Sequence, residues 1–273
     1  MAGEEPSGYR HSRHAGNFAD VHKHALLAWI TDRLVSAGGP LCILDTHAGD
    51  GLYRPEAGRQ HLLTRLRADD GPPSALDPYR RALASAVCTG GEGAYPGSPY
   101  LLRTLMGADD RLLLADTHPI ALGALRNRFG DDPRVTILDV DGWSALGQWR
   151  TDGCARGLVL VDPPYDSDRD YRLAAEAVIS AARRGPGVCL CLWFPVTDGP
   201  HEVMLDTLRS AFPGCCGLHA HLRAPPSPSG GMRGSGLFVV HPPAGLEVAV
   251  SEIGTRLRMS WACGSGGEGA APS

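Results

Sequence analysis

The residues with the clearest chemical potential form the tetrapeptide Asp162-Pro163-Pro164-Tyr165, which directly follows the apolar run Gly157–Val161. The Asp162 carboxylate and the Pro163 carbonyl can accept the two hydrogens of an aromatic amine, whose lone pair is otherwise delocalised into its ring. An amine held in this way can attack an electrophilic methyl group, and Tyr165 can stack on a purine. The tetrapeptide therefore predicts adenine N-methylation, with Asp162, Pro163 and Tyr165 as catalytic residues. The structural alternative is a proline-rich turn with a surface tyrosine.

A glycine turn follows a second apolar run, Leu41–Asp45. Gly49 and Gly51 lack side chains, so that a ligand can approach the backbone closely. A nicotinamide site requires GxGxxG, but Arg54 stands at the third glycine position. The lysine of a phosphate-binding GK[ST] motif is also absent after this turn. We therefore expect Gly49 and Gly51 to bind a cofactor that is neither a dinucleotide nor a triphosphate.

Acidic residues mark the ends of two further apolar runs. Asp116 can accept both hydroxyl hydrogens of a ribose, and Asp141 can meet an adenine amino group. Either carboxylate can instead cap the helix that follows it. Because such acids follow successive predicted strands, the pattern favours a nucleoside ligand.

The segment from Tyr9 to His24 combines aromatic, cationic and amide side chains, a composition suited to phosphate and base contacts. We expect substrate contacts from Tyr9, Arg10 and Arg13. The alternative is a solvated basic arm. The histidines of this segment have no cysteine or carboxylate partners at the spacings usual for a zinc site, so we expect no metal. Lys23 is the one lysine among 26 basic residues.

Seven short apolar runs are predicted strands. Several are apolar continuously, as in strands covered on both faces, and most are separated by enough chain for a crossover helix. The pattern predicts an α/β fold with a mainly parallel, doubly wound sheet. The runs are Leu41–Asp45, Arg111–Asp116, Arg134–Leu138, Gly157–Asp162, Gly187–Trp193, Gly217–Leu222 and Gly236–His241.

An i, i+4 apolar pattern predicts an amphipathic helix over about 19–35, with capping candidates between Asn17 and Asp20. The chain between the first two predicted strands is longer than an ordinary crossover, so we expect a helical insertion over about 53–94. Its helices are predicted near Glu56–Leu66 and Leu76–Val87. We expect an N-terminal arm over 1–18, a catalytic domain over 19–262 and a tail over 263–273.

Composition sets broader limits on the function. The chain has 273 residues, 43% of them apolar, and a formal net charge of -4, which argues against a broad nonspecific nucleic-acid binder. No apolar stretch approaches the ~20 residues that span a bilayer, and the polar start is unlike a signal peptide. We therefore expect a cytoplasmic protein. The eight cysteines form no CxxC pair, and we interpret them as reduced core residues.

These motifs closely resemble the bacterial RlmJ family, methyltransferases of an adenine in the large-subunit (23S) ribosomal RNA. The resemblance covers nearly the whole folded chain, and its N-terminal part is more specific than the shared methyltransferase motifs. The matching segments are Tyr9–Ser12, His14–Asn17, Ala19–Asp20, Lys23–His24, Leu44–Gly51, Tyr95–Pro99, Asp141–Gly142, Asp162–Tyr165, Leu192–Pro195, Gly231–Arg233 and Ser235–Gly236.

The resemblance implies a class I, Rossmann-like methyltransferase fold with a seven-stranded sheet and a helical insertion. It also implies S-adenosyl-L-methionine as cofactor and 23S rRNA as partner. Tyr9 is the implied substrate contact. His24 is an implied cofactor contact, and we expect Lys23, which lies in the same motif, to bind the cofactor as well. The remaining implied cofactor contacts are His47, Ser98, Asp116, Asp141, Gly142 and Asp162. The chain departs from the family at Asp116, where glutamate is usual, at Phe194, where tyrosine is usual, and in its shorter insertion.

The sequence thus predicts a monomeric adenine-N6 methyltransferase of rRNA that needs neither metal nor membrane. One alternative is an adenine or amine N-methyltransferase that acts on DNA or on a small molecule. Another is a non-catalytic RNA-binding factor of ribosome assembly, although the intact Asp162 and Tyr165 argue against it.

Overall fold

The computed structural model describes residues 15–68, 72–151, 153–154, 156–185, 187–214, 217–223 and 232–262. Tyr9, Arg10 and Arg13, for which we predict substrate contacts, lie outside the described residues. So do nearly all of the expected arm and the expected tail.

Helices and strands alternate along most of the described chain. In chain order they are α1 Phe18–Ser36, β1 Leu41–Asp45, β2 Leu52–Tyr53, α2 Ala57–Arg67, α3 Asp77–Gly90, β3 Tyr95–Pro96, α4 Ser98–Leu105, β4 Arg111–Asp116, α5 Pro119–Phe129, β5 Val135–Asp139, α6 Gly142–Gln148, β6 Arg156–Val161, α7 Asp168–Arg184, β7 Val188–Val196, α8 Pro200–Ala211, β8 Gly217–Arg223, β9 Gly234–Val240 and α9 Leu246–Ala262. None of these described helices has the length and apolar character needed to cross a membrane.

Seven of the strands form one sheet in the order β5-β4-β1-β6-β7-β9-β8. All neighbouring pairs are parallel except those of β9, which runs antiparallel to β7 and to β8. The predicted strands and the mainly parallel sheet are therefore confirmed, and the fold is that of a class I methyltransferase. Because the chain leaves β1 towards β4 on one side and later returns to β6 on the other, a crevice opens beyond the carboxyl ends of these strands.

Both faces of the sheet are buried, which explains why its strands are apolar without alternation. In β6, Leu158 and Leu160 belong to the hydrophobic core on one face, whereas Val159 and Val161 belong to the core on the other.

Helix α1 begins where the sequence predicts, but it is not amphipathic. The Asn17 side chain accepts hydrogen bonds from the Ala19 and Asp20 amides, both at 2.9 Å, and caps the helix. Its first ten residues after Phe18 are all buried, because α3, α4, α9 and strand β9 surround it. The amphipathic prediction is therefore wrong, and the polar residues near the start of α1 are placed in the interior.

The segment between β2 and β3 carries two helices, α2 and α3, close to their predicted positions. Strands β2 and β3 pair antiparallel, and the Gly97 amide donates to the Gly51 carbonyl at 2.9 Å. This ladder brings the two ends of the segment together, so that its helices project from the main sheet without interrupting it.

The cysteines differ from our expectation of reduced core residues. Cys42 and Cys154 form a disulfide with a Cα–Cα distance of 5.8 Å, and Cys88 is exposed. Cys42 pairs with Gly157 across β1 and β6, which brings the loop before β6 beside it. The expectation holds for Cys189 and Cys191, which are free and buried. The other three, Cys215, Cys216 and Cys263, lie outside the described residues.

Candidate active site

A cavity of about 410 Å³ lies at the carboxyl ends of β1, β4, β5 and β6. Four carboxylates and no arginine or lysine are among the described residues that line it, so the cavity favours a cationic ligand over a phosphate. Within the described chain, no group of three or more histidine, cysteine or acidic side chains is arranged to hold a metal ion. The lining residues are Thr46, His47, Asp116, Thr117, Asp141, Gly142, Trp143, Pro163, Pro164, Asp166, Ser167 and Asp170.

Asp116 joins the end of β4 to the glycine turn. One carboxylate oxygen accepts the Gly49 amide at 2.8 Å, and the other accepts the His118 amide at 2.7 Å. Since each oxygen of an ionised carboxylate has two lone pairs, Asp116 keeps capacity for further donors on the cavity side.

Asp141 is the N-cap of α6 as well as part of the cavity wall. Its Oδ1 atom accepts the Ser144 amide at 3.0 Å and the Trp143 amide at 3.1 Å. Hydrogen bonds from Ser144 and Trp143 lower the pKa of Asp141 below its ordinary value. The helix-cap alternative is thus correct for Asp141, and the carboxylate remains charged at the cavity.

The glycine turn is shaped by protein packing. Gly49 and Gly51 have φ angles of 63° and 80°, which favour glycine. A Cβ at Gly49 would lie 2.2 Å from the Tyr53 hydroxyl oxygen, and one at Gly51 would lie 3.1 Å from the Phe129 ring. Neither glycine is among the residues that line the cavity. Their need for glycine therefore has a structural cause, and their cofactor contact stays a prediction.

Asp162 is held by the lysine of α1. Lys23 Nζ lies 2.5 Å from Asp162 Oδ2 and 3.0 Å from Asp20 Oδ1, and its side chain is only 3% exposed. Burial alone lowers the pKa of Lys23, but the carboxylates of Asp162 and Asp20 outweigh burial and raise that pKa above its ordinary value. Lys23 is therefore a charged ammonium group that balances two acids, and it also lies 5.3 Å from the centre of the Trp193 ring.

Tyr165 is half-buried, and its contacts fix the ring. The hydroxyl donates to the Trp193 carbonyl at 2.7 Å, and the ring packs against Tyr171 with centroids 4.4 Å apart. Burial and the charge of Asp162 hold the pKa of Tyr165 well above its usual range. The hydroxyl is thus a neutral donor, and base stacking by this ring stays a prediction.

Asp45 is a polar residue of the site that the sequence analysis did not assign. It ends β1 and is fully buried, and its Oδ2 atom has no hydrogen-bond partner among the described residues. Burial raises the pKa of Asp45 to about 7, although the Ser98 hydroxyl and the His47 amide favour the charged form. Asp45, like Asp116, stands at the end of an apolar run, and this position is the sequence signal that could have identified it.

The structure divides the predicted site residues into three groups. His47, Asp116, Asp141, Gly142 and Pro163 line the cavity. Lys23, Asp162 and Tyr165 form a second cluster around Trp193. His24, Gly49, Gly51 and Ser98 do not line the cavity; the His24 Nδ1 atom lies 2.7 Å from the Tyr95 hydroxyl inside the protein. Several lining residues that we did not predict, among them Thr46, Thr117 and Trp143, are sequence neighbours of predicted ones.

Residues 38–270 match the family model described as Ribosomal RNA large subunit methyltransferase D, RlmJ. The chain belongs to the RlmJ family. It is 32% identical over 261 residues to Ribosomal RNA large subunit methyltransferase J of Escherichia coli (strain K12), covering 90% of each chain. The protein of that name from Haemophilus influenzae is 32% identical over 260 residues, again with 90% of each chain covered. A crystal structure of a Legionella pneumophila protein has a TM-score of 0.78 and 26% identity, covering 90% of this chain and 94% of that one.

The methyl donor of a methyltransferase in the RlmJ family is S-adenosylmethionine, and the residues present fit it. Its sulfonium and ammonium groups are cationic, in agreement with the four carboxylates of the wall. Asp45, whose buried Oδ2 atom has no partner among the described residues, does not line the cavity and is not assigned to the cofactor.

Proposed function

We propose that this protein transfers a methyl group from S-adenosylmethionine to the N6 amino group of one adenine in 23S rRNA. The observation that carries the proposal is the acid-lined cavity bounded by Pro163 and Pro164 of the predicted catalytic loop. A cationic methyl donor and an amine acceptor can therefore meet at the same loop.

The cofactor, when bound, supplies an electrophilic methyl group on a sulfonium. We assign Asp116 to the ribose hydroxyls and Asp141 to the purine amino group, because both carboxylates line the cavity and keep acceptor capacity. His47 and Gly142 complete this wall. The Gly142 position has no room for a side chain, since a Cβ there would lie 2.3 Å from the Thr46 carbonyl oxygen.

Asp162 and Pro163 act on the acceptor amine. With Oδ2 of Asp162 held by Lys23, its Oδ1 atom and the Pro163 carbonyl accept the two amine hydrogens. The positive charge that develops on the nitrogen is stabilised by the carboxylate, which Lys23 keeps ionised and in place. Once the nitrogen carries the methyl group, its surplus proton leaves along the hydrogen bond to Asp162 Oδ1.

We assign the rRNA contacts to Tyr9, Arg10 and Arg13, together with Tyr165. The proposal of an rRNA substrate is supported by the relatives, which are named as large-subunit rRNA methyltransferases. Such a substrate would place the enzyme in the cytoplasm. One cavity with one catalytic loop is enough for the reaction, so we propose that a monomer is active.

The decisive experiment compares rRNA from a gene-deletion strain with that of its parent by nucleoside mass spectrometry and fragment mapping. We expect one N6-methyladenine to disappear from 23S rRNA. It should return when the deletion strain expresses the wild-type protein, and it should stay absent when the strain expresses Asp162→Asn.

A matched assay with purified protein and labelled cofactor tests the alternatives. Label in duplex DNA or in a small amine, with none in 23S rRNA, would contradict the proposed substrate. Restoration of the methyl group by Asp162→Asn would contradict the proposed mechanism.

A further inference from the structure

A buried hydroxyl group lies behind the catalytic cluster, on the strand that pairs with β7. Ser235 is fully buried in β9, and its Oγ atom accepts the Trp193 Nε1–H group at 3.0 Å. The Nδ1 atom of His22 lies 2.9 Å from the same oxygen, and the Ala19 carbonyl lies at 3.4 Å. One hydroxyl therefore connects the indole of β7 to helix α1.

Trp193 is the shared neighbour of the catalytic groups. Lys23 Nζ lies over its ring, its carbonyl accepts the Tyr165 hydroxyl, and the rings of Tyr165 and Trp193 are 6.1 Å apart in a T-shaped arrangement. Rotation of the indole would change the contacts of Lys23 and Tyr165 together. Through Lys23, it would also change the position of Asp162.

The strand register explains how the Ser235 side chain reaches the indole of Trp193. Ser235 is opposite Pro195 in the β7–β9 register, so its side chain and that of Trp193 share one face of the sheet. A buried hydroxyl costs free energy unless it is hydrogen-bonded, and here it serves three neighbouring groups. None of the steps assigned to Asp162, Pro163 or Lys23 uses this hydroxyl directly.

His22 is a neutral partner of this hydroxyl. Burial, together with the nearby His221 and His219, lowers the pKa of His22 to about 3. In the neutral tautomer with its proton on Nδ1, the imidazole donates to the Ser235 oxygen. That oxygen also accepts the indole N–H, and the hydroxyl hydrogen is donated to the Ala19 carbonyl.

We propose that Ser235, supported by His22, is a positioning residue that fixes the Trp193 indole and thereby the Lys23–Asp162 pair. This inference rests on the proposed function of Asp162, but its structural core concerns the indole alone. It can therefore be tested in the free protein as well as in catalysis.

The first test is the indole N–H resonance of Trp193 in the full-length protein without ligands. The chain has five tryptophans, so Trp193→Phe identifies the signal by its loss. In Ser235→Ala we expect that signal to shift and its hydrogen exchange to accelerate at least ~10-fold, because the acceptor is gone. An unchanged signal and exchange rate would overturn the proposal. This result does not depend on which substrate is methylated.

The second test is a double-mutant cycle on methylation. Ser235→Ala should lower kcat/KM about 5- to 10-fold, as expected for one neutral hydrogen bond, and leave the dissociation constant of S-adenosylhomocysteine unchanged. In a Trp193→Phe background the same substitution should have no further effect, because phenylalanine has no N–H to hold. A full additional loss in that background would show that Ser235 acts through general stability and would refute its positioning role.

Thr31→Val is the matched control. Thr31 is also fully buried, and its hydroxyl donates to the Leu27 carbonyl at 2.7 Å, a hydrogen bond that stays within α1. We expect this variant to lose stability and keep the Trp193 signal and kcat/KM. A loss of activity equal to that of Ser235→Ala would contradict the inference. If wild-type protein fails to methylate rRNA, the proposed function fails, and the resonance of Trp193 still decides the role of Ser235.

Discussion

The two acidic parts of the site balance their charge in different ways. Asp116 and Asp141, on the cavity wall, accept hydrogen bonds from backbone amides of the loops that follow the strands: Asp116 from the glycine turn and from its own loop, Asp141 from its own loop. Asp162, at the catalytic loop, is instead paired with a lysine 139 residues away in sequence. The proposed cofactor half, which contains Asp116 and Asp141, is therefore held by the strand ends and the loops that follow them. The catalytic half requires α1 to be in place.

The pair of Lys23 and Asp162 also connects catalysis to the start of the described chain. Asp20 contacts Lys23 through one carboxylate oxygen, and its other oxygen accepts the Gly16 amide at 3.1 Å. A displacement of the chain at Gly16 is therefore transmitted to the catalytic carboxylate through only two side chains.

The largest effect on catalysis should come from removing the charge of the catalytic carboxylate. Asp162→Asn keeps the shape and an oxygen for Lys23, but it loses the negative charge that stabilises the methylated nitrogen. We expect the single-turnover rate to fall at least ~100-fold, the scale of one lost electrostatic stabiliser. Cofactor affinity should change little, because Asp162 does not line the cavity.

Rapid-quench measurements at several cofactor concentrations separate the single-turnover rate from the cofactor affinity. If Asp162→Asn keeps more than about half of the wild-type rate, the catalytic assignment of Asp162 is wrong. If its rate falls only in proportion to cofactor occupancy, Asp162 belongs to the cofactor half.

Lys23→Met tests whether the catalytic half depends on its buried pair for stability. The variant leaves the Asp20 and Asp162 carboxylates in the interior without their cation, and breaking a buried pair in this way costs about 3–5 kcal/mol. Denaturant unfolding should show that loss in the free energy of unfolding. Arg209→Met is the control, because Arg209 and its partner Asp206 are mostly exposed and such pairs contribute little. Equal losses in both variants would refute the special role of the buried pair.

The same contrast explains how far the sequence could predict this molecule. The strands, the acidic residues at their ends and the proposed catalytic loop are local patterns, because a short apolar run followed by polar residues predicts each of them. The pairing of Lys23 with Asp162 and the disulfide of Cys42 with Cys154 join distant segments, so no local spacing indicates them. Helix α1 shows the limit clearly. Its apolar periodicity predicts one buried face, but the surrounding elements bury every residue from Ala19 to Ala28.

Asp116→Ala addresses the cofactor half. We expect the affinity for S-adenosylhomocysteine to fall by about 1.5–3 kcal/mol, the cost of lost hydrogen bonds to a charged acceptor. Calorimetric titration measures this change. Asp139→Ala is a close control, because Asp139 pairs with Asp116 across β4 and β5 but does not line the cavity. Equal affinity in the Asp116 variant and the wild type would leave Asp116 with only its role in the glycine turn.

The smallest expected effect is the part of the unfolding free energy that the protein loses at low pH because of His22. The folded-state pKa of His22 is about 3, below the ordinary value of 6.5, so the unfolded chain binds its proton more readily than the native protein does. The contribution of His22 to stability is therefore complete above pH 6.5 and declines as the pH falls towards 3.

From pH 7.5 to pH 5.5, we expect the wild type to lose about 1 kcal/mol more of its unfolding free energy than His22→Asn. Asparagine keeps a polar group near Ser235 but does not titrate. His219 is present in both proteins, and burial also lowers its pKa, to about 4, so its contribution cancels in the comparison. Urea unfolding at several pH values provides the measurement. If the free energy of unfolding depends on pH in the same way in both proteins, His22 is not a neutral group of the folded interior, and its proposed support of Ser235 fails.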